Sequence, residues 1–369
     1  MAAAAAPLDV LRIEAVLVLD RVVEELLGVA KVAVRDQVDV IARGRVVDGG
    51  QRVAGRRRGV DREAAVRRRA FAGDLVAPVR LAGELDADGS GERALLSSGT
   101  EPTGMPPLEL PLGLGTSGLD DPAECRATVT AALEAGYRHV DTAQMYGNEA
   151  AVGEGIAAAD VDREDVVVAT KVHPDNLASE SVRETARESL DRLGVDRVDL
   201  LYVHWPIGAY DPDETLPAFD ALREAGLTDH VGVSNFTPEL LREAEGVLDA
   251  PIAAHQVECH PRFQQPDLRA IAAERDHALV GYSPLAQGEI LDDPDFAGIA
   301  EEHDLRPAVL ALAWGLARDV TPIPKATGDH VTENLRAVTA EVPETALDAV
   351  DALEGGERRI DPDAAAWNR

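Results

Sequence analysis

The chain has 369 residues, room for one large domain or two ordinary ones, and a formal net charge of −31. All the excess acid lies after residue 104: residues 1–104 carry 16 basic and 16 acidic side chains, residues 105–369 carry 20 and 51, and only Lys31, Lys171 and Lys325 are lysines. Such a surface argues against nucleic acid as a partner, Cys125 and Cys259 lack metal-ligand spacing and suit a reducing compartment, and no apolar run approaches the roughly 18 residues of a membrane span.

Residues 1–104 show no regular succession of elements, and "GRRRGVDREAAVRRR" (55–69) makes them locally basic. A chain adapted to one solvent does not change composition so abruptly. The segment is therefore expected to be a poorly ordered extension outside the native barrel, with the native start at Met105. The opening residues lack a basic n-region, which makes them a poor signal peptide and implies a cytoplasmic protein. The acidic segment, 105–369, reads as halophilic: in molar salt the Debye length falls to about 3 Å and self-repulsion fades.

From residue 110 onward, short apolar runs alternate with amphipathic stretches. The first run, "LPLGLGT" (110–116), leads into Gly113-x-Gly115-x-x-Gly118, the pattern of a dinucleotide-binding Rossmann turn. Further strands are expected at 138–143, 165–172, 198–205, 230–235, 253–259, 278–285 and 320–326. Helices are expected at 121–135, 148–158, 179–194, 214–225, 237–247, 265–276, 306–318 and 329–338. Ser179 and Ser181 offer N-caps to the third of these, and Gly194 a C′ glycine. Eight βα units in about 250 residues match a (β/α)₈ TIM barrel, whereas a Rossmann domain would need about six strands and a second domain. The opening glycines then form a tight first βα loop that admits a ligand close to the backbone.

Asp141, Lys171, His204, Asn235, Gln256, Ser283 and Lys325 all fall at or near C-terminal strand ends, which converge on one face of such a barrel. Four residues carry chemistry: Asp141 and Tyr146 in "HVDTAQMYGNE", Lys171 in "VATKV" and His204 in "LLYVHWP". A tyrosine with a pKa of about 10 is a weak acid. A neighbouring lysine is expected to lower that pKa, an aspartate to hold the lysine charged, and a histidine to donate a hydrogen bond to a carbonyl.

In these motifs, and in "VGVSNF", "QVECHP", "GYSPLAQG" and "PIPKATGDHVTENL" in the same order, residues 108–369 resemble the aldo-keto reductases, closest to the short-loop bacterial branch that includes 2,5-diketo-gluconate reductases. The resemblance implies an NAD(P)-dependent oxidoreductase that reduces an aldehyde or ketone to an alcohol, with Asp141, Tyr146, Lys171 and His204 as the catalytic tetrad and Tyr146 as general acid. It implies NADP(H), with NAD(H) as the alternative, held as follows. Gly115 and Thr116 lie in the first loop; Ser234, Asn235 and Gln256 are at the carboxamide; Tyr282 stacks on the nicotinamide; Ser283 and Leu285 are near the pyrophosphate; Glu333 and Asn334 are at the adenine. Lys325 and Thr327 are the candidate phosphate contacts. The segment departs from the family pattern where Ala326 replaces a serine and His330 falls near the position of the phosphate-gripping arginine. Ser117 and Trp205 are candidate substrate contacts, with Tyr210 and Trp367 as further pocket walls. No metal is implied. The expected partner is a small carbonyl compound, and the protein is expected to be monomeric. The alternative reading is a regulatory or structural barrel that binds the cofactor without catalysis.

Overall fold

The computed structural model describes residue 110, residues 112–353, residue 356 and residues 358–368. The expected extension at 1–104, its arginine block and the start at Met105 lie outside the described residues.

Eight strands run in chain order: β1 (Leu114–Gly115), β2 (His139–Asp141), β3 (Val167–Val172), β4 (Val198–Val203), β5 (Thr228–Ser234), β6 (Ile252–Glu258), β7 (Ala278–Tyr282) and β8 (Val320–Pro322). Each pairs in parallel with the next. The last meets the first through Gly113 N–H to Pro322 O at 3.0 Å and Gly115 N–H to Pro324 O at 3.1 Å, which closes a (β/α)₈ barrel. Outside it lie the helices α1 (Pro122–Ala135), α2 (Glu149–Ala158), α3 (Ser179–Leu193), α4 (Pro212–Glu224), α5 (Pro238–Val247), α6 (Pro266–Arg275), α7 (Pro294–Glu302), α8 (Pro307–Ala317), α9 (His330–Thr339) and α10 (Glu344–Asp351).

The strands are buried on both faces, as a parallel sheet requires. Ala169, Leu200, Tyr202, Ala254, Val280 and Ile323 fill the barrel interior, while a larger apolar layer separates strands from helices. A short local grammar starts the helices. Six of the ten described helices open on proline, whose missing N–H costs nothing in a first turn. Asp121, Asp211, Thr237 and Asp293 stand just before four of them, and each accepts a first-turn N–H.

The expected serine caps are not used. α3 starts at Ser179 itself, with Ala178 in the capping position and no side-chain bond there. The tight turn Pro174–Asn176 already sets the chain's entry, and the Val182 N–H to Ala178 O bond of 2.9 Å opens the ladder. Gly194 does take the left-handed C′ conformation, with φ 66°. Two helices, α7 and α10, occupy stretches for which no helix was expected. β1 is shorter than expected, and its glycines serve the seam. A Cβ on Gly115 would lie 2.6 Å from the Ile323 carbonyl oxygen, and one on Gly113 would lie 2.6 Å from His139 Nδ1. On the side where a side chain would stand, both residues are met by protein.

Candidate active site

Two neighbouring strands deliver one buried ion pair. β2 ends on Asp141 and β3 carries Lys171, and both side chains are almost wholly inaccessible. Burying an ammonium demands partners, and Lys171 Nζ finds three: Asp141 Oδ1, Thr142 O at 2.9 Å and Tyr146 Oη at 3.3 Å. The second oxygen of Asp141 accepts Gln256 Nε2 at 2.7 Å, from the end of β6. Its backbone carbonyl accepts both the N–H and the hydroxyl of Thr116, each at 3.0 Å.

Tyr146 closes a single 3-10 turn, Gln144–Tyr146, directly after β2. Its ring lies edge-on to the His204 ring, with centroids 5.8 Å apart, and Lys171 and Ser117 both act to lower the pKa of its phenol. His204 follows β4, with its Nδ1 buried and unpartnered, so Nε2 is the nitrogen left to face a ligand.

Burial works against the Lys171 ammonium, but Asp141 and Tyr146 outweigh it and hold its pKa above the ordinary lysine value. Burial with the Lys171 charge nearby drives the His204 pKa well below its usual value, so the ring is neutral at physiological pH. The expectation for Tyr146 needs correcting in sign. Lys171 does pull its pKa down, but burial of the phenol is the larger effect, and the net shift is upward. The phenol therefore remains protonated across neutral pH.

Beside this group runs a row of amides. Asn235 donates to His204 O and Ser234 Oγ, both at 3.0 Å, and its Oδ1 accepts the Tyr282 hydroxyl at 2.8 Å. Ser234, Asn235, Gln256 and the Tyr282 ring together present amide donors, acceptors and a flat aromatic face, a donor set that fits an amide-bearing aromatic ring such as nicotinamide. Beyond Tyr282 the chain turns through left-handed conformations at Ser283, Ala286, Gln287 and Gly288, with Leu285 half-buried among them. Lys325 is exposed, and its Nζ lies 3.2 Å from where a Cβ on Gly118 would stand. Thr327 is half-buried nearby.

The remaining sites of the adenine segment do not converge in the same way. His330 is largely exposed and pairs through Nδ1 with Glu333 at 3.1 Å. Glu333 also pairs with Arg306, at the start of α8, a cation that motif reading did not single out. Asn334 is buried beside Tyr137 rather than open to a ligand.

Trp205 is buried, and Trp367 of the C-terminal segment lies over it with ring centroids 5.7 Å apart. Tyr210 packs edge-on to Phe236 instead. Sequence reading also missed Asn148, which ties Thr116 O at 2.9 Å to the Thr142 hydroxyl at 3.0 Å and so braces the loops carrying Asp141. It missed Glu258 too, wholly buried at the end of β6, which accepts the N–H groups of Arg359 at 2.7 Å and Ile360 at 3.0 Å. A carboxylate in the last position of an apolar strand was the available signal for Glu258.

Residues 111–354 match the Aldo/keto reductase family. An aldo-keto reductase of Mycobacterium avium is 39% identical over 251 residues, 67% of this chain and 87% of that protein. Among solved structures, one described as a candidate 2,5-diketo-D-gluconic acid reductase B is 36% identical with a TM-score of 0.66, covering 69% of this chain and 92% of its own. A Bombyx mori aldo-keto reductase solved with NADP is 29% identical with a TM-score of 0.63, covering 68% of this chain and 91% of its own.

Proposed function

The chain belongs to the aldo/keto reductase family, and from that premise we propose that it reduces the carbonyl group of an aldehyde or ketone to an alcohol, using NADP(H), with Tyr146 supplying the proton. The observation that carries this reading is the buried lysine that touches both Asp141 and the Tyr146 hydroxyl. A buried ion pair contributes little to stability against an apolar replacement, whereas one that touches a phenol in a cleft controls where a proton goes.

The nicotinamide cofactor, when bound, supplies the hydride for the carbonyl carbon. Ser234, Asn235 and Gln256 would hold its amide, and the Tyr282 ring would lie against its ring. His204, neutral, donates an N–H to the carbonyl oxygen and orients it. Tyr146 Oη gives that oxygen a proton as negative charge develops on it. The phenolate left behind forms beside the Lys171 ammonium, and Asp141 keeps that ammonium charged. With Ala326 and an exposed His330 in the phosphate-proximal segment, selection of NADP(H) over NAD(H) is weak, because an imidazole does not make the bidentate contact of a guanidinium. We place the enzyme in the cytoplasm, supported by Cys125 and Cys259 being both free and buried, and take it to act as a monomer.

Tyr146→Phe keeps the ring and deletes the acid. Turnover of a good aldehyde at saturating NADPH is expected to fall by about 10²–10⁴-fold, with cofactor affinity by fluorescence titration retained. Near-normal turnover with intact binding would refute the mechanism and favour a proton from His204 or water.

A further inference from the structure

At the end of the barrel opposite the tetrad there is a second opening. A cavity of about 1240 Å³ lies where β6, β7 and β8 begin, bordered by Ile252, His277, Asp319 and Val320 and by the side of α6 that carries Arg269 and Arg275. A strand rises about 3.3 Å per residue, so Gln256 at the tetrad and Ile252 at this cavity stand about 13 Å apart along β6.

The charge of this cavity runs against that of the chain. After residue 104 acids outnumber bases 51 to 20, yet here four guanidiniums, Arg223, Arg269, Arg275 and Arg318, face two carboxylates, Asp276 and Asp319. Two of the four cations are matched: Arg275 by Glu245 at 2.7 Å, and Arg318 by Asp351 at 2.8 Å and Glu344 at 2.9 Å. Among the described residues the other two have no carboxylate partner. Arg223 gives its Nε to the Asp229 carbonyl oxygen at 3.3 Å. Arg269 lies over the Trp314 ring, its guanidinium carbon 5.8 Å from the centroid, and its Nε is buried with no acceptor. Its terminal nitrogens bond nothing among the described residues and are left for a ligand. His277, also buried, has an unpartnered Nε2. Burial holds the pKa of His230 and of His277 below the usual histidine value, so both add hydrogen-bonding capacity without charge at neutral pH.

The rest of the wall is apolar, with Leu110, Ile252, Leu279, Leu316 and Val320. Leu110 is held there by its carbonyl oxygen, which accepts the Thr321 hydroxyl at 2.8 Å. A bare inorganic anion would leave this wall wet, and a neutral hydrocarbon would leave the guanidiniums without a partner.

We propose that this opening is a second ligand site, separate from the reductase cleft, for an amphiphilic anion: a carboxylate or phosphate head on a hydrocarbon body. The Arg269 fork takes the head, as a planar guanidinium matches either group bidentately. Arg223 adds charge, and the body lies against the apolar wall. The site stands whether or not the reductase reading does, because its test is binding rather than turnover.

The test is calorimetric titration of the NADPH-loaded full chain with octyl phosphate, octanoate and 1-octanol, at one fixed KCl concentration, in wild type, Arg269→Gln and Arg223→Gln. Wild type is expected to bind one equivalent of at least one octyl anion, about 10-fold or more tighter than octanol. The tighter anion identifies the head group recognised. Arg269→Gln is expected to weaken that anion by about 10- to 100-fold and to leave octanol unchanged, as loss of a charge-assisted contact requires. Arg223→Gln is expected to weaken it by about 2- to 5-fold, the effect of a nearby charge without direct contact. Where Arg269→Gln melts early, the Arg223→Gln titration decides. Absence of binding by both anions, equal affinity for anion and octanol, or an anion affinity unchanged in both variants overturns the proposal.

Discussion

A lysine with no exposed surface persists in this barrel because three acceptors surround its ammonium. Its effect on Tyr146 is a contest of magnitudes: burial raises the phenol's pKa by more than the ammonium lowers it. Reduction needs the phenol protonated, so its rate is expected to hold across neutral pH and to fall as pH rises through the Tyr146 pKa. Oxidation of the product alcohol needs the phenolate and is expected to climb over the same interval. Lys171→Met removes the downward pull, so both limbs move to higher pH while turnover falls by about 10²–10⁴-fold. Because the two side chains act as one unit, adding Tyr146→Phe to Lys171→Met should cost little more than the larger single loss. Asp141 is left without its cation, so circular dichroism must first show each variant folded, since breaking a buried pair costs about 3–5 kcal/mol. Losses that multiply, or pH limbs that stay in place, would mean that Lys171 does not tune the phenol.

Between one element and the next, the barrel is closed by the absence of side chains. At the β1–β8 seam a Cβ on Gly115 would press on the Ile323 backbone, and backbone cannot rotate away. Gly115→Ala is expected to cost about 1–3 kcal/mol of overpacking and to lower the melting temperature by several degrees. Gly246→Ala, exposed in α5 with nothing within 4 Å, is expected to be neutral or slightly stabilising. Equal melting temperatures for the two variants would deny the seam its tight fit. The seam also explains what could be read from sequence. Gly113, Gly115 and Gly118 fit a Rossmann fingerprint letter for letter, and it was the eight-fold alternation that follows, with polar residues at its strand ends, that excluded that fold. Strand ends with a single polar residue after an apolar run, such as Lys171 and His204, were legible because polarity there has no packing rationale. The sites that escaped notice are set by contacts across the fold. Arg306 reaches Glu333 from another helix, and Glu258 acts on a backbone about a hundred residues downstream. The sign of the Tyr146 shift was illegible for the same reason: a sequence shows that a lysine is near a tyrosine but not how much water either has lost.

For the whole molecule the governing quantity is uncompensated charge. Beyond residue 104 there are 51 acidic and 20 basic side chains, so pairing every cation still leaves 31 carboxylates unmatched. Many arginines are already engaged, such as Arg318 with Asp351 at 2.8 Å and Arg262 with Asp293 at 2.7 Å. Two opposed effects of salt follow. Screening weakens exposed ion pairs, but each contributes only about 0–1 kcal/mol. Screening also removes repulsion among the unmatched carboxylates, a sum over many pairs that grows as the Debye length lengthens to about 10 Å at 0.1 M. With more unmatched acids than pairs, the second effect dominates, and the protein is expected to be stabilised by molar potassium chloride. The measurement is the melting temperature between about 0.1 and 3 M KCl, for wild type and for a variant with six exposed acids, Glu134, Glu180, Glu184, Asp191, Glu224 and Glu302, changed to their amides. Wild type should melt at higher temperature as salt rises, and the variant should respond less steeply, because its repulsive sum is smaller while its apolar core is unchanged. That second comparison separates screening from the general strengthening of apolar burial by salt, which would act on both proteins alike. A wild-type melting temperature that is flat or falling with KCl would show that the acidic surface serves solubility rather than stability.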